Sequence, residues 1–195
     1  SNTPGGSEME VVSFYRMADG TREDYELLER KEAEFQAHLP QRILNDLRAL
    51  GEDGYSGYHI TRLEHSLQSA TRALRDGREE DYVVACLLHD IGDLLAPWSH
   101  GELASSILKP FVSERIYWVI RYHPVFQYYY YGQHIGQDPN ARERFRDSPY
   151  FDDCAEFCEL YDQNCFDPTY KSESLAFFEP MLRKMFGTAP SMPKP

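Results

Sequence analysis

The sequence predicts an all-α fold, and three observations carry that prediction. Apolar residues recur at helical spacing through almost every segment, no run alternates apolar and polar residues between hairpin turns, and Gly, Pro and Asp clusters separate the periodic stretches. A chain of 195 residues falls within the usual size of one domain. Its 42% hydrophobic content is enough for a sizeable core.

The elements follow in chain order. Residues 1–10, opening SNTPGGSE, read as a mobile tail, 11–187 as one helical domain, and 188–195, within the closing GTAPSMPKP, as a second tail. Helical period runs from Asp24 to Leu50, Tyr58 to Arg75, Glu79 to Leu95, Gly101 to Leu108 and Ser113 to Tyr122. Two more helices are expected from Asp153 to Asn164 and from Ser172 to Phe186. Turn signals lie at Gly51 to Gly57, Asp76-Gly77, Ala96-Pro97 and Gly136 to Pro139. No internal repeat is evident.

Composition removes several function classes. With 32 acidic against 20 basic side chains the formal charge is -12, a balance that repels phosphate backbones and argues against nucleic acid as a partner. No apolar run reaches the roughly 18 residues of a membrane span, and no basic-then-apolar leader opens the chain. The 4 Cys are too few and too irregular for a disulfide framework, so a cytoplasmic, reducing setting is expected. The 14 Tyr and 11 Phe exceed what core filling alone requires.

The informative residues are polar ones in apolar company. The run Val83-Val84-Ala85-Cys86-Leu87-Leu88 is apolar on every face and so belongs in the core, yet His89-Asp90 follow directly. An ionised carboxylate there must be paired or bound to a metal, because burying it alone is prohibitively costly. His65, His100 and His123 each end or interrupt an apolar helical face, and Asp162 is embedded in Phe157-Cys158-Glu159-Leu160-Tyr161. Taken singly, each His could be a satisfied core histidine; six such residues together point to metal. Imidazoles and carboxylates without thiolate suit iron or manganese better than structural zinc, and two acids allow one to bridge two ions. Cys154 and Cys158 share i, i+4 spacing, but with Cys165 nearby and no second pair they read as buried apolar fillers.

In order and spacing, His65, His89-Asp90, His100, His123 and Asp162 resemble the six-ligand dinuclear branch of the HD-domain superfamily, over roughly Tyr55 to Asp167. The resemblance implies that His65, His89, Asp90 and Asp162 hold one ion, with Asp90 bridging to a second held by His100 and His123. Most of the superfamily are metal-dependent phosphohydrolases, the rival reading. The segment Tyr55-Ser56-Gly57-Tyr58-His59-Ile60-Thr61-Arg62-Leu63-Glu64-His65-Ser66-Leu67-Gln68 is similar to the smaller set of mixed-valent diiron oxygenases, above all those of hydroxyphosphonates. That likeness implies two Fe ions, Fe(II) and Fe(III), with O2 as co-substrate, and a gating role for Tyr55, which substrate would displace from an iron.

Departures from the family pattern refine the substrate. Relatives acting on 2-amino-1-hydroxyethylphosphonate carry Glu where this chain has Tyr58, and that acid would pair with a primary ammonium. A phenol ring instead suits a quaternary ammonium through cation–π attraction. Gln127, Tyr128 and Tyr131, in the aromatic run after His123, are expected to contribute further contacts. The expected reaction is therefore cleavage of 1-hydroxy-2-(trimethylammonio)ethylphosphonate to glycine betaine and phosphate, the substrate coming from an upstream hydroxylase. Family positions that bind phosphonate with basic residues fall here on Asp93 and near Gln127, leaving Arg62, His134, Arg142 and Arg146 as candidates for that role. A non-enzymatic alternative, a sensor of choline-like ligands, lacks any recognisable output segment.

Overall fold

The computed structural model of the chain describes residues 10–191. Among these, eight α-helices and no strand are present: α1 (Arg22–Ala37), α2 (Leu39–Ala49), α3 (Arg62–Arg75), α4 (Glu80–Leu88), α5 (His100–Leu108), α6 (Glu114–Tyr131), α7 (Phe151–Tyr161) and α8 (Leu175–Phe186). The fold is all-α, and no described helix is long and apolar enough to cross a membrane. Of the expected tails, residues 1–9 and 192–195 lie outside the described residues. Ser191 donates from its N–H and its hydroxyl to the Pro110 carbonyl, at 2.7 and 2.8 Å.

Helix starts follow local chemistry. Thr21, Thr61, Ser113 and Ser174 each accept, through the side chain, a backbone N–H of the first turn, the usual satisfaction of orphan donors at an N-cap. At the centre lies α4, whose residues Tyr82 through Leu88 are all buried; α3 packs on one side of it, and α6 and α8 also contact it. Each fully buried Val or Leu there contributes about 1.5–3 kcal/mol relative to an exposed one. Helices α5, α6 and α7 pack in succession, and α7 closes back on α3.

Several boundaries differ from the sequence expectation, each for a physical reason. The stretch from Asp24 to Leu50 is two helices meeting at His38, because Pro40 opens the second. Helix α3 begins at Arg62 rather than Tyr58, since Gly54, Ser56 and Gly57 take positive φ and keep the preceding segment out of helix. Helix α4 stops at Leu88, and a 3-10 turn over Ile91–Leu94 follows it. Conversely, α6 runs through Pro124 to Tyr131 instead of ending at Tyr122.

Candidate metal centre

These helix ends bring His65, His89, Asp90, His100, His123 and Asp162 together. His65 lies in the first turn of α3, His89 and Asp90 just beyond α4, His100 at the first position of α5, His123 inside α6, and Asp162 at the end of α7 rather than within it. Two groups form around Asp90: His65, His89, Asp90 and Asp162 in one, Asp90, His100 and His123 in the other. The carboxylate divides between them. Its Oδ2 stands 3.2 Å from both His65 Nε2 and His89 Nε2, while its Oδ1 stands 3.4 Å from both His100 Nε2 and His123 Nε2.

Three of the imidazoles are held from behind. Nδ1 of His65 donates to the Cys165 carbonyl at 2.9 Å, that of His89 to Cys86 at 2.6 Å, and that of His123 to Ile120 at 2.5 Å. A carbonyl can only accept, so each Nδ1 carries the hydrogen and each neutral ring turns a bare Nε2 lone pair inward. The sequence supplies these carbonyls. Pro124 has no N–H, which leaves the Ile120 carbonyl without its i+4 donor and open to His123. The Cys86 carbonyl belongs to the last turn of α4, where it accepts the His89 N–H at 3.4 Å and keeps its second lone pair for the His89 ring.

The donor set fits a metal ion. His65 Nε2 and His89 Nε2 are 3.0 Å apart, so in the neutral rings two lone pairs face each other in a buried space. Such repulsion requires a cation or a proton between them. Two nitrogens bound at right angles about 2.1 Å from one ion would stand about 3.0 Å apart. The distances from Asp162 Oδ1 to the same two nitrogens, 3.1 and 3.5 Å, are close to that spacing.

Electrostatics separate the two groups. Burial opposes charge on His65, yet its hydrogen bonds to Asp162 and Asp90 carry its pKa up to about 9. The His89 pKa is likewise raised against burial, by the charges of Asp90 and Asp162, and both carboxyls are held well below their ordinary range, chiefly by His89. The His100 pKa moves the other way, lowered by burial and by the neighbouring His123.

A cavity of about 420 Å³ opens onto Asp90, His100, His123 and Asp162. Its other walls include Tyr58, Gln127, Tyr130, Tyr131 and Phe166, together with Asp93; no Lys or Arg lines it. Phe166 is sandwiched, 4.1 Å from the His65 ring and 4.8 Å from the Tyr58 ring, with interplanar angles of 14° and 18°. Gln127 Oε1 is buried with no hydrogen-bond partner.

Of the residues singled out in the sequence, Tyr58, Gln127 and Tyr131 line this cavity, and Arg62 reaches its edge through Asp93, 3.2 Å from Nε. Tyr55 is exposed; its carbonyl accepts the Tyr58 N–H at 2.9 Å, but its ring is not part of the wall. Tyr128 points from α6 toward a neighbouring cavity between Trp98 and Phe145. His134 lies exposed beyond the end of α6, Arg142 stacks on Tyr129 at 3.8 Å, and Arg146 pairs with Glu143 and lies over Phe151, so none of the three faces the six. Asp93, Tyr130 and Phe166 do, without having been expected. Tyr130 was recoverable from a helix continued past Pro124. Cys154 and Cys158 are buried free thiols that donate to the Val119 and His123 carbonyls of α6, and Cys165 is a third, its carbonyl orienting His65.

Residues 62–143 match the HD domain family. That match covers rather less than half of the chain. The matched stretch includes five of the six clustered residues, and Asp162 lies beyond it. A relative from Leisingera caerulea, "[1-hydroxy-2-(trimethylamino)ethyl]phosphonate dioxygenase (glycine-betaine-forming)", is 33% identical over 84 residues, covering 37% of this chain and 43% of the relative's length. The fold thus carries a His/Asp cluster able to hold metal ions, open on one side to an aromatic cavity.

Proposed function

We propose that the protein is a non-haem diiron dioxygenase cleaving the C–P bond of a 1-hydroxyphosphonate, with 1-hydroxy-2-(trimethylammonio)ethylphosphonate as substrate and glycine betaine and phosphate as products. The observation that carries the reading is Asp90, whose two oxygens face two separate histidine groups at the head of an aromatic cavity. His65, His89, Asp90 and Asp162 would hold one iron, and Asp90, His100 and His123 the other. Bound there as an Fe(II)/Fe(III) pair, the ions supply O2 activation and a positive anchor for the phosphonate.

The chain's own residues do the rest. The cavity wall holds Asp90, Asp93 and Asp162 and, among the described residues, no Lys or Arg, so its protein charge favours the cationic end of a substrate. Tyr58, Tyr130 and Tyr131 would offer ring faces to a trimethylammonium group, each worth about 0.5–2 kcal/mol according to its desolvation, with Phe166 backing the Tyr58 ring. A group with no N–H asks for no hydrogen-bond acceptor, and rings meet that need. Gln127 lines the same wall and would supply an acceptor for the substrate hydroxyl by turning its buried, unpartnered Oε1 toward the cavity. The atoms balance with one O2: the C–P bond breaks, C1 becomes a carboxylate by gaining one oxygen, and phosphorus leaves as dihydrogen phosphate with the other. No water is consumed. A 1-hydroxylated substrate implies a preceding hydroxylase.

The test is phosphate and betaine release from this compound by iron-loaded protein, in air and under argon, beside 2-amino-1-hydroxyethylphosphonate. Release in air alone, faster with the trimethylated compound, is the expected result. Equal release under argon would make the protein a phosphohydrolase, and preference for the primary amine would overturn the aromatic-wall assignment.

A further inference from the structure

His100 is the one histidine of the six without a backbone carbonyl behind it. Its Nδ1 faces Asp93 Oδ1 at 3.6 Å instead. Asp93 Oδ2 is in turn held by Arg62 Nε at 3.2 Å, and Arg62 Nη1 donates to Ser56 Oγ at 2.9 Å. Ser56 sits between Tyr55 and Tyr58 in the segment preceding α3, at φ 49 between two positive-φ glycines, Gly54 and Gly57. One guanidinium therefore spans two structures that sequence separates: the segment bearing Tyr58, which lines the cavity, and the acid behind His100. Its fork geometry permits this, because Nε and Nη1 point to different acceptors, a division that a lysine ammonium on a flexible stem does not reproduce.

We infer that Arg62 and Asp93 are positioning residues: Asp93 orients His100 toward the second ion, and Arg62 locks Asp93 to Ser56, so that the seating of the Tyr58 segment and the affinity for that ion are coupled. This rests on the two-ion reading of the centre. It gives Arg62 a role other than phosphonate binding, since its Nε and Nη1 are engaged by Asp93 and Ser56. It also gives Asp93 a use that a basic residue could not serve, because only an acceptor can take the Nδ1–H of His100. Acids placed behind metal-bound histidines govern affinity by about 10–100-fold.

The experiment is anaerobic Fe(II) titration of the full chain, measuring iron per protein and affinity for each ion. Hydrogen exchange over residues 53–58 is followed on the same samples. In Asp93→Asn and in Arg62→Ala, the second ion should bind at least tenfold more weakly while the first is unchanged, the retained first ion reporting an intact fold. Exchange at 53–58 should rise in Arg62→Ala and in Ser56→Ala, and in the parent protein it should fall on adding the second ion equivalent. Arg62→Lys should fail to restore either property. Unchanged second-ion affinity in Asp93→Asn or in Arg62→Ala would overturn the inference while leaving the proposed reaction standing. A parent protein that never binds more than one ion would instead defeat the two-ion centre itself.

Discussion

The two groups able to hold a metal share one carboxylate and differ in donor number and in exposure. The group of His65, His89, Asp90 and Asp162 has four contributors, with His65, His89 and Asp162 buried and both of its imidazoles tied to carbonyls. The group of Asp90, His100 and His123 has three, and its His100 side chain keeps 24% exposure and leans on a carboxylate 3.6 Å away. The protein has thus built one closed seat and one open seat side by side. The difference teaches where exchange belongs: the group with three protein donors faces the cavity, so on the proposed function small molecules would have access where the protein holds an ion least.

The largest break in this comparison is Asp90→Asn, which removes charge from both groups at once. On the proposed function, loading of two ions should disappear and turnover should fall by about 10³-fold, the upper range for loss of one electrostatic group; metal analysis and steady-state rates check both. Next is Gly92→Ala. A Cβ there would lie 2.6 Å from the His100 Cα, so α5 must shift, weakening the open seat by about 10–100-fold and the fold by about 1–3 kcal/mol in thermal unfolding.

A subtler change sharpens the comparison instead. Pro124→Ala returns an N–H that competes with His123 Nδ1 for the Ile120 carbonyl. Affinity at the open seat should drop about tenfold, while α6, relieved of an interior proline, should gain stability; melting temperature and second-ion affinity would move in opposite directions.

The smallest effect is a pH dependence confined to metal-free protein. His65 has a folded pKa of about 9 against an ordinary 6.5, so the stability its ion pairs add is complete below pH 6.5 and is lost as pH rises through about 9. The melting temperature of metal-free protein should fall across that window, and bound metal, occupying the same nitrogen, should flatten the decline. His100, whose pKa is lowered, adds nothing of this sign.

The six clustered residues were legible because imidazoles and carboxylates have no structural excuse in apolar runs such as 83–88, and polar misfits are visible without coordinates. The substrate contacts were less so, and α6 shows why. Ending the helical period at Tyr122 left the tyrosine run without a phase, and Tyr128 was chosen over Tyr130. The continuing helix puts Gln127, Tyr130 and Tyr131 three and four residues apart on the face of His123, and turns Tyr128 away. Phe166 had no periodicity to announce it, since it follows the end of α7 and owes its place to a segment anchored at His65. Arg142 and Arg146 failed because a basic residue in sequence carries no record of whether its charge is already spoken for by Tyr129 or Glu143.

The hydrogen bond from His65 to the Cys165 carbonyl joins residues 100 positions apart. Such a contact closes late, after the intervening helices have packed, since long loops carry the larger closure entropy and non-local pairings slow folding. The closed seat therefore cannot nucleate the chain; it forms only once the bundle exists. A metal ion bound then would act as a clasp on a finished structure, stabilising it by mass action in proportion to the logarithm of its concentration over its dissociation constant. Bound metal should accordingly slow unfolding far more than it speeds folding, and metal scarcity would register first as a shorter lifetime of the folded chain.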